Sequence, residues 1–257
     1  MLYPLRSPHH AFPATLSPPR FPHYALPTAL SKPTRSPSLP LFERSCDGLP
    51  PPLVWVSPSQ AIKSGWDEYG YGYGQPSQNI TIRDNVLSTP CAAIAIGSEM
   101  SGGVSEVHVS RCHIWESTAG VHVKSGAGRG GYVHDVTFEQ LTMDRCSVGL
   151  MYTIDTGGHP ADDPTHHLNL SALPDIRRIS ARQITGTGSR QVARLNGLAR
   201  APLQELVFDG VHFDGGVYEC SNVSGTYVDV EPTPCGAIRP RAYTTTEVKR
   251  GRGRSPY

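Results

Sequence analysis

The chain has 257 residues and a mass of 27.8 kDa, and Lys+Arg 23 against Asp+Glu 22 leaves a net charge of +1. That balance excludes a whole-chain nucleic-acid binder, which carries a strong basic excess. No apolar run approaches 18 residues, so no membrane-spanning helix is expected. Gly 26 and Pro 24, with charged residues at only 18%, disfavour a helical bundle and favour strands and turns.

Residues 1–60 hold 14 of the 24 prolines and a single glycine, Gly48. Proline fixes φ and lacks an amide donor, so neither a helix nor a central strand propagates there. Residues 1–55 are therefore expected to be disordered or polyproline-like, and they lack the continuous apolar stretch of a secretory signal.

From about residue 56 the pattern changes. Short alternating segments recur at Ile80-Thr81-Ile82, Val107-His108-Val109, Val136-Thr137-Phe138, Ile179-Ser180-Ala181 and Leu206-Val207-Phe208, in steps of 27, 29, 43 and 27 residues. A second series, Ile94-Ala95-Ile96, Val121-His122-Val123 and Leu150-Met151-Tyr152, keeps the same steps of 27 and 29. Period-2 alternation marks strands with one buried face. Two strand sets sharing one period mark a solenoid, so the chain is expected to be all-β, with each repeat one coil of a right-handed, single-stranded parallel β-helix. The long step contains an insertion from about Asp155 to Pro174. An antiparallel sandwich is the alternative; its hairpin signals occur only at Asn196-Gly197, Asp209-Gly210 and Asp214-Gly215. After Gly236 a basic tail, residues 237–257, is expected to be disordered.

None of the six cysteines forms a CxxC pair, so no zinc site is expected. Cys220 and Cys235 bracket a short Gly/Ser/Thr loop after the last strand, where a disulfide would cap an open solenoid end. Cys112 and Cys146 read as equivalent places of successive coils, stacked in the core. Sequons at Asn79, Asn169 and Asn222 favour secretion.

Four segments carry chemistry: KSGWDEYG at 63–70, IAIGSEMSGG at 94–103, GVHVKSGAGRGGY at 120–132 and HPADDP at 159–164. Equivalent positions of stacked coils stand about 4.8 Å apart. Lys63, Gly97-Ser98-Glu99 and Lys124 should therefore line one groove along the axis, with Trp66 and Tyr69 beside it. Lysine neutralises carboxylates and aromatic rings cover sugar faces, so this mix suits an acidic polysaccharide.

These motifs, in this order, with the ending YECSNVSG…PTPC, resemble the polygalacturonase family, glycoside hydrolase family 28, in its plant-type branch, over about residues 61 to 236. The resemblance implies a parallel β-helix domain over 56–236. It implies inverting hydrolysis of the α-1,4 galacturonan links of pectin by a secreted or cell-wall monomer, with no cofactor or metal. The family's Arg-Ile-Lys motif falls on His122-Val123-Lys124, which makes Lys124 and His122, with Lys63 and Arg129, the substrate-binding candidates. The family's Gly-His-Gly segment falls on Cys91-Ala92-Ala93 and its paired aspartates on Ser57-Pro58. Asp67 and Glu99 are then the carboxylates left as catalytic candidates, and His122 is expected to add positive charge below about pH 6.5. Because the resemblance begins at Ala61, the chain looks like the C-terminal part of a longer, weakly active family member. The alternative is a non-catalytic galacturonan-binding β-helix.

Overall fold

The computed structural model describes residues 60–156 and 166–241, all within one compact unit, Arg44–Tyr257. The expected disorder of residues 1–55 and the HPADDP motif lie outside these described residues. So do the residues of the basic tail from 242 onward.

Two parallel sheets wind together as a right-handed β-helix. Numbered along the chain, the first sheet contains β1 (Gln60–Ile62), β4 (Ala92–Ile96), β6 (Ala119–Lys124), β8 (Val148–Thr153), β10 (Gln191–Asn196) and β12 (Val217–Ser221), in that spatial order. The second contains β2 (Ser77–Arg83), β5 (Val104–Trp115), β7 (Tyr132–Asp144), β9 (Asp175–Thr187), β11 (Leu203–Phe213), β13 (Val223–Glu231) and β14 (Ile238–Pro240), also in coil order. A short strand, β3 (Val86–Ser88), pairs with the far end of β5. Every strand pairing among the described residues is parallel, which removes the antiparallel sandwich.

The register follows both repeat series. Ile80, Val107, Val136 and Ile179 stand in one column, and Ile94, Val121 and Leu150 in another. Val107, Val109, Val136 and Phe138 are at most 1% exposed. Burying each such side chain stabilises the fold by about 1.5–3 kcal/mol.

The coils of the second sheet turn at fixed places on residues with positive φ, most of them not glycine. Asn79, Glu106, Asp135, Arg178 and Glu205 form one corner column, with φ from 52 to 57°. Asp84, Arg111, Gln140, Gln183, Gly210 and Asp229 form a second. Glu116, Arg145 and Gly188 form a third. The left-handed region is sterically disfavoured for all but glycine, so each corner carries a local cost offset by the apolar contacts of the strands on both sides. At some of these corners an arginine meets an acid of the preceding coil. Arg111 grips Asp84 through two bonds of 2.7 and 2.8 Å, and Arg178 grips Asp135 at 2.7 and 3.0 Å.

The nearly all-β fold is as expected, with one short addition: a seven-residue helix, α1 (Asp67–Tyr73), occupies the KSGWDEYG segment and ends at Gly74, whose φ of 65° suits glycine. Two expectations are corrected. The sheet runs past Gly236, because β14 pairs with β13. Cys112 lines up with Leu141, whereas Cys146 follows the corner residue Arg145. The two buried thiols thus occupy different places in their coils. Cys220 and Cys235 are joined by a disulfide.

Candidate functional site

The strands of the first sheet repeat an unusual order of sides: out, in, in, out, in, out. In β6, Val121 and Val123 belong to the main core, while Ala119 joins Ala92, Ala95 and Val148 in a separate apolar cluster on the outer face, with Met151 packed against it. Gly149 is inward, since an added Cβ there would stand 2.6 Å from Phe213 Cζ. The outward positions form two columns that bear the chemistry. One is Ala95, His122, Met151, Arg194 and Glu219. The other ends the strands: Lys124, Thr153, Asn196 and Ser221, with Lys63 and Gly97 on the preceding coils. Gly97 has φ 86°, and a side chain there would strike the Lys124 carbonyl oxygen. The register therefore brings Lys63, Gly97-Ser98-Glu99 and Lys124 together at one edge of this face.

Lys63 Nζ donates to Glu99 Oε2, and Ser98 Oγ donates to the same oxygen at 3.4 Å. Burial pushes the Glu99 carboxyl up, but the Lys63 hydrogen bond, a backbone bond and the charges of Lys63 and Arg129 more than offset it. Glu99 is held below the ordinary glutamate value and is ionised. It suits a base or counter-ion and not a proton donor.

Asp67 and Arg129 lie deeper. Arg129 Nη1 donates to Asp67 Oδ1 at 2.6 Å, His166 Nε2 lies 3.0 Å from Asp67 Oδ2, and Arg129 Nη2 donates to Ser98 Oγ at 3.4 Å. Both members of the Asp67–Arg129 pair are 1% exposed. The pair fastens α1, the loop after β6 and the loop before β9 to one another. Arg129 Cζ also sits 4.9 Å above the Trp66 ring, fixing that partly exposed indole. Asp67, the catalytic candidate, and Arg129, the substrate-binding candidate, are thus brought together in a buried ion pair.

His122 is half-buried, and its Nε2 lies 3.3 Å from Thr153 Oγ1. Burial, then the charges of Lys124 and Arg194, lower its imidazole from 6.5 to about 3. The expected protonation of His122 below pH 6.5 is thereby overturned: two cations face the ring, and it stays neutral through the mildly acid range. It offers a neutral donor or acceptor beside Lys124.

Two charged residues of this face were missed from the sequence. Arg194 belongs to no motif, Glu219 lies unremarked inside YECSNVSG, and both reach the column of His122 only through strand register. Glu219 accepts from Gln191 Nε2 at 2.8 Å and from Asn196 Nδ2 at 3.5 Å, and lies 3.4 Å from Arg194 Nε. A shallow depression of about 470 Å³ on the second sheet, lined by Arg111, His113, Gln140, Thr142, Gln183 and Thr185 among others, contains none of the sequence-predicted residues.

Residues 61–233 match the sequence profile described as Glycosyl hydrolases family 28. A probable polygalacturonase of Vitis vinifera is 35% identical over 185 residues, covering 69% of this chain and 37% of its own length. Among solved structures, a hyperthermoactive exopolygalacturonase from Thermotoga maritima superposes with a TM-score of 0.55 and 22% identity, over 70% of this chain and 38% of that one. The chain thus spans little more than a third of the length of these proteins.

Proposed function

The chain belongs to glycosyl hydrolases family 28, and from that premise we propose that the outer face of its first sheet binds the galacturonan backbone of pectin, with weak or no hydrolysis by this chain itself. The observation that carries the reading is the placement of Lys124 beside neutral His122 and next to Lys63–Glu99, on a face whose outward alanines are already desolvated. Lys124 neutralises a uronate carboxylate, His122, held by the buried Thr153, offers a hydrogen bond to a hydroxyl, and Trp66 presents an immobilised ring to a sugar face.

The same geometry argues for weak turnover. Inverting hydrolysis needs one protonated carboxyl and one carboxylate about 6.5–9.5 Å apart, flanking the scissile bond. Glu99 is ionised by Lys63, Asp67 is enclosed with Arg129, and Glu219 stands four strands from β4, about 19 Å along the axis at the coil spacing. Secretion is part of the reading, supported by the three sequons and the Cys220–Cys235 disulfide.

The test pairs two measurements on the purified chain: retardation in a polygalacturonate gel and release of reducing ends. Retardation by the acidic polymer with little reducing-end release is expected. Robust turnover abolished by Glu99→Gln would place a catalytic carboxyl here and overturn the non-hydrolytic part. No retardation at all would overturn the binding part.

A further inference from the structure

Arg194 differs from the other arginines of the described coils. Arg111, Arg145 and Arg178 stand at corners of the second sheet, each gripping a carboxylate of a neighbouring coil. Arg194 projects from mid-strand on the outer face of the first sheet, in the column of His122 and two coils beyond it. Only 23% of its side chain is exposed. Its charge acts on the His122 ring together with that of Lys124, so both cations face the same imidazole from different coils.

What surrounds Arg194 points to the ligand. Gln191 Nε2, Asn196 Nδ2 and Arg194 Nε, all from β10, converge on the one carboxylate of Glu219. Two amide donors and a guanidinium on one strand are thus already arranged around a carboxylate, the guanidinium as an ion pair at 3.4 Å, and that carboxylate belongs to a half-exposed side chain which can swing away. A guanidinium carries five donors and can bridge two carboxylates. Lys124 and Arg194 lie on strands separated by β8, about 10 Å apart along the axis at the coil spacing. That separation places two cations along one polymer lying parallel to the axis.

We propose that Arg194, with Gln191 and Asn196, forms a second carboxylate subsite of the outer face, two coils beyond Lys124, where Glu219 holds the place of a uronate carboxylate until an acidic polysaccharide displaces it. The proposal rests on the galacturonan-binding reading and deepens it. It makes the face selective for polymers with unesterified carboxyls at more than one residue.

The measurement is affinity for oligogalacturonate by calorimetry, beside the same oligomer fully methyl-esterified, on wild type, Lys124→Ala, Arg194→Ala and Glu219→Gln. Losing one charge-assisted contact should weaken acidic-oligomer binding about tenfold in Arg194→Ala, and should narrow the preference over the esterified oligomer by the same factor. Glu219→Gln removes the competing carboxylate and should tighten acidic binding several-fold. A purely structural Arg194–Glu219 pair predicts the opposite: no gain from Glu219→Gln, and equal losses for both oligomers in Arg194→Ala. If Arg194→Ala does not fold, Glu219→Gln still decides, because it retains Arg194 and its expected effect has the other sign. Weakening by Lys124→Ala with no change in Arg194→Ala or Glu219→Gln overturns the second subsite while leaving the galacturonan reading standing. Failure of wild type to bind either oligomer overturns both.

Discussion

On the second sheet, Arg111, Arg145 and Arg178 stand at coil corners with side chains 37–56% exposed, each beside a carboxylate that water also reaches. On the first sheet of the same coils, Arg194 lies mid-strand with only 23% of its side chain exposed, and His122 is kept neutral by burial and by two cations. One face leaves its charges in solvent, where pairing is worth little. The other desolvates polar groups on an outward surface, which is costly unless they are paired or serve a ligand. The contrast teaches where to look on a solenoid: to the face where charge is least comfortable.

Breaking a charge pair in the desolvated region should have the largest effect. Asp67→Asn removes the charge that balances Arg129 at 2.6 Å in a fully buried setting. Urea unfolding should show a loss of about 3–5 kcal/mol, the usual consequence of stranding a buried partner. A loss under about 1 kcal/mol would mean that water reaches the pair and that the two regions are alike.

His122 sharpens the same comparison through pH. Its imidazole lies near 3 in the folded chain against an ordinary 6.5, so between those values the unfolded state takes up a proton that the native state refuses. The stability tied to His122 is therefore complete above about pH 6.5 and drains away as pH falls toward 3. Between pH 6.5 and 5 the loss is on the order of 2 kcal/mol. His122→Gln, which can still bond Thr153, should flatten the melting-temperature profile over that range; an unchanged slope would mean that the ring is not buried neutral.

The repeat, and with it the coil, was legible because apolar alternation recurs at a nearly fixed step and needs no knowledge of the corners. The corners were not legible: the left-handed positions are filled by Asn, Asp, Glu, Arg and Gln, with glycine only at Gly188 and Gly210. A twelve-residue strand such as β5 therefore showed only its central Val107-His108-Val109. At the site, Lys124 and His122 were visible inside one segment. Arg194 and Glu219 were not, because their approach depends on register across several coils. The burial of Asp67 was hidden for a related reason: its partners Arg129 and His166 are 62 and 99 residues away.

Lys124→Ala should act on binding alone. Lys124 ends a strand at the edge of the outer face, so its truncation should weaken polygalacturonate binding about tenfold, with the cooperative melting transition retained and little change for a neutral glucan. Equal losses for charged and neutral polymers would indicate a disturbed fold and would erase the functional difference between the two faces.

The smallest effect belongs to the corner ladders. The Arg178 hydrogen bonds, with a lesser one from His134, hold the Asp135 carboxyl down at about 2. Both side chains are nonetheless well exposed, at 37% and 46%, and salt screens them. Arg178→Ala should shift the melting temperature by less than about 2 °C at neutral pH. The sign follows from the depressed carboxyl: any difference is present above the ordinary aspartate value, fades as pH falls toward 2, and vanishes in 1 M salt. What the corner requires of residue 178 is its backbone, with φ at 52°. Glycine adopts that conformation without a steric penalty, so Arg178→Gly should be at least as stable as Arg178→Ala although both lack the guanidinium. If Arg178→Gly were instead the less stable of the two, or if Arg178→Ala lowered the melting temperature by more than about 5 °C, the stacked charges would be holding the coils in register, and charge would matter as much on the exposed face as on the desolvated one.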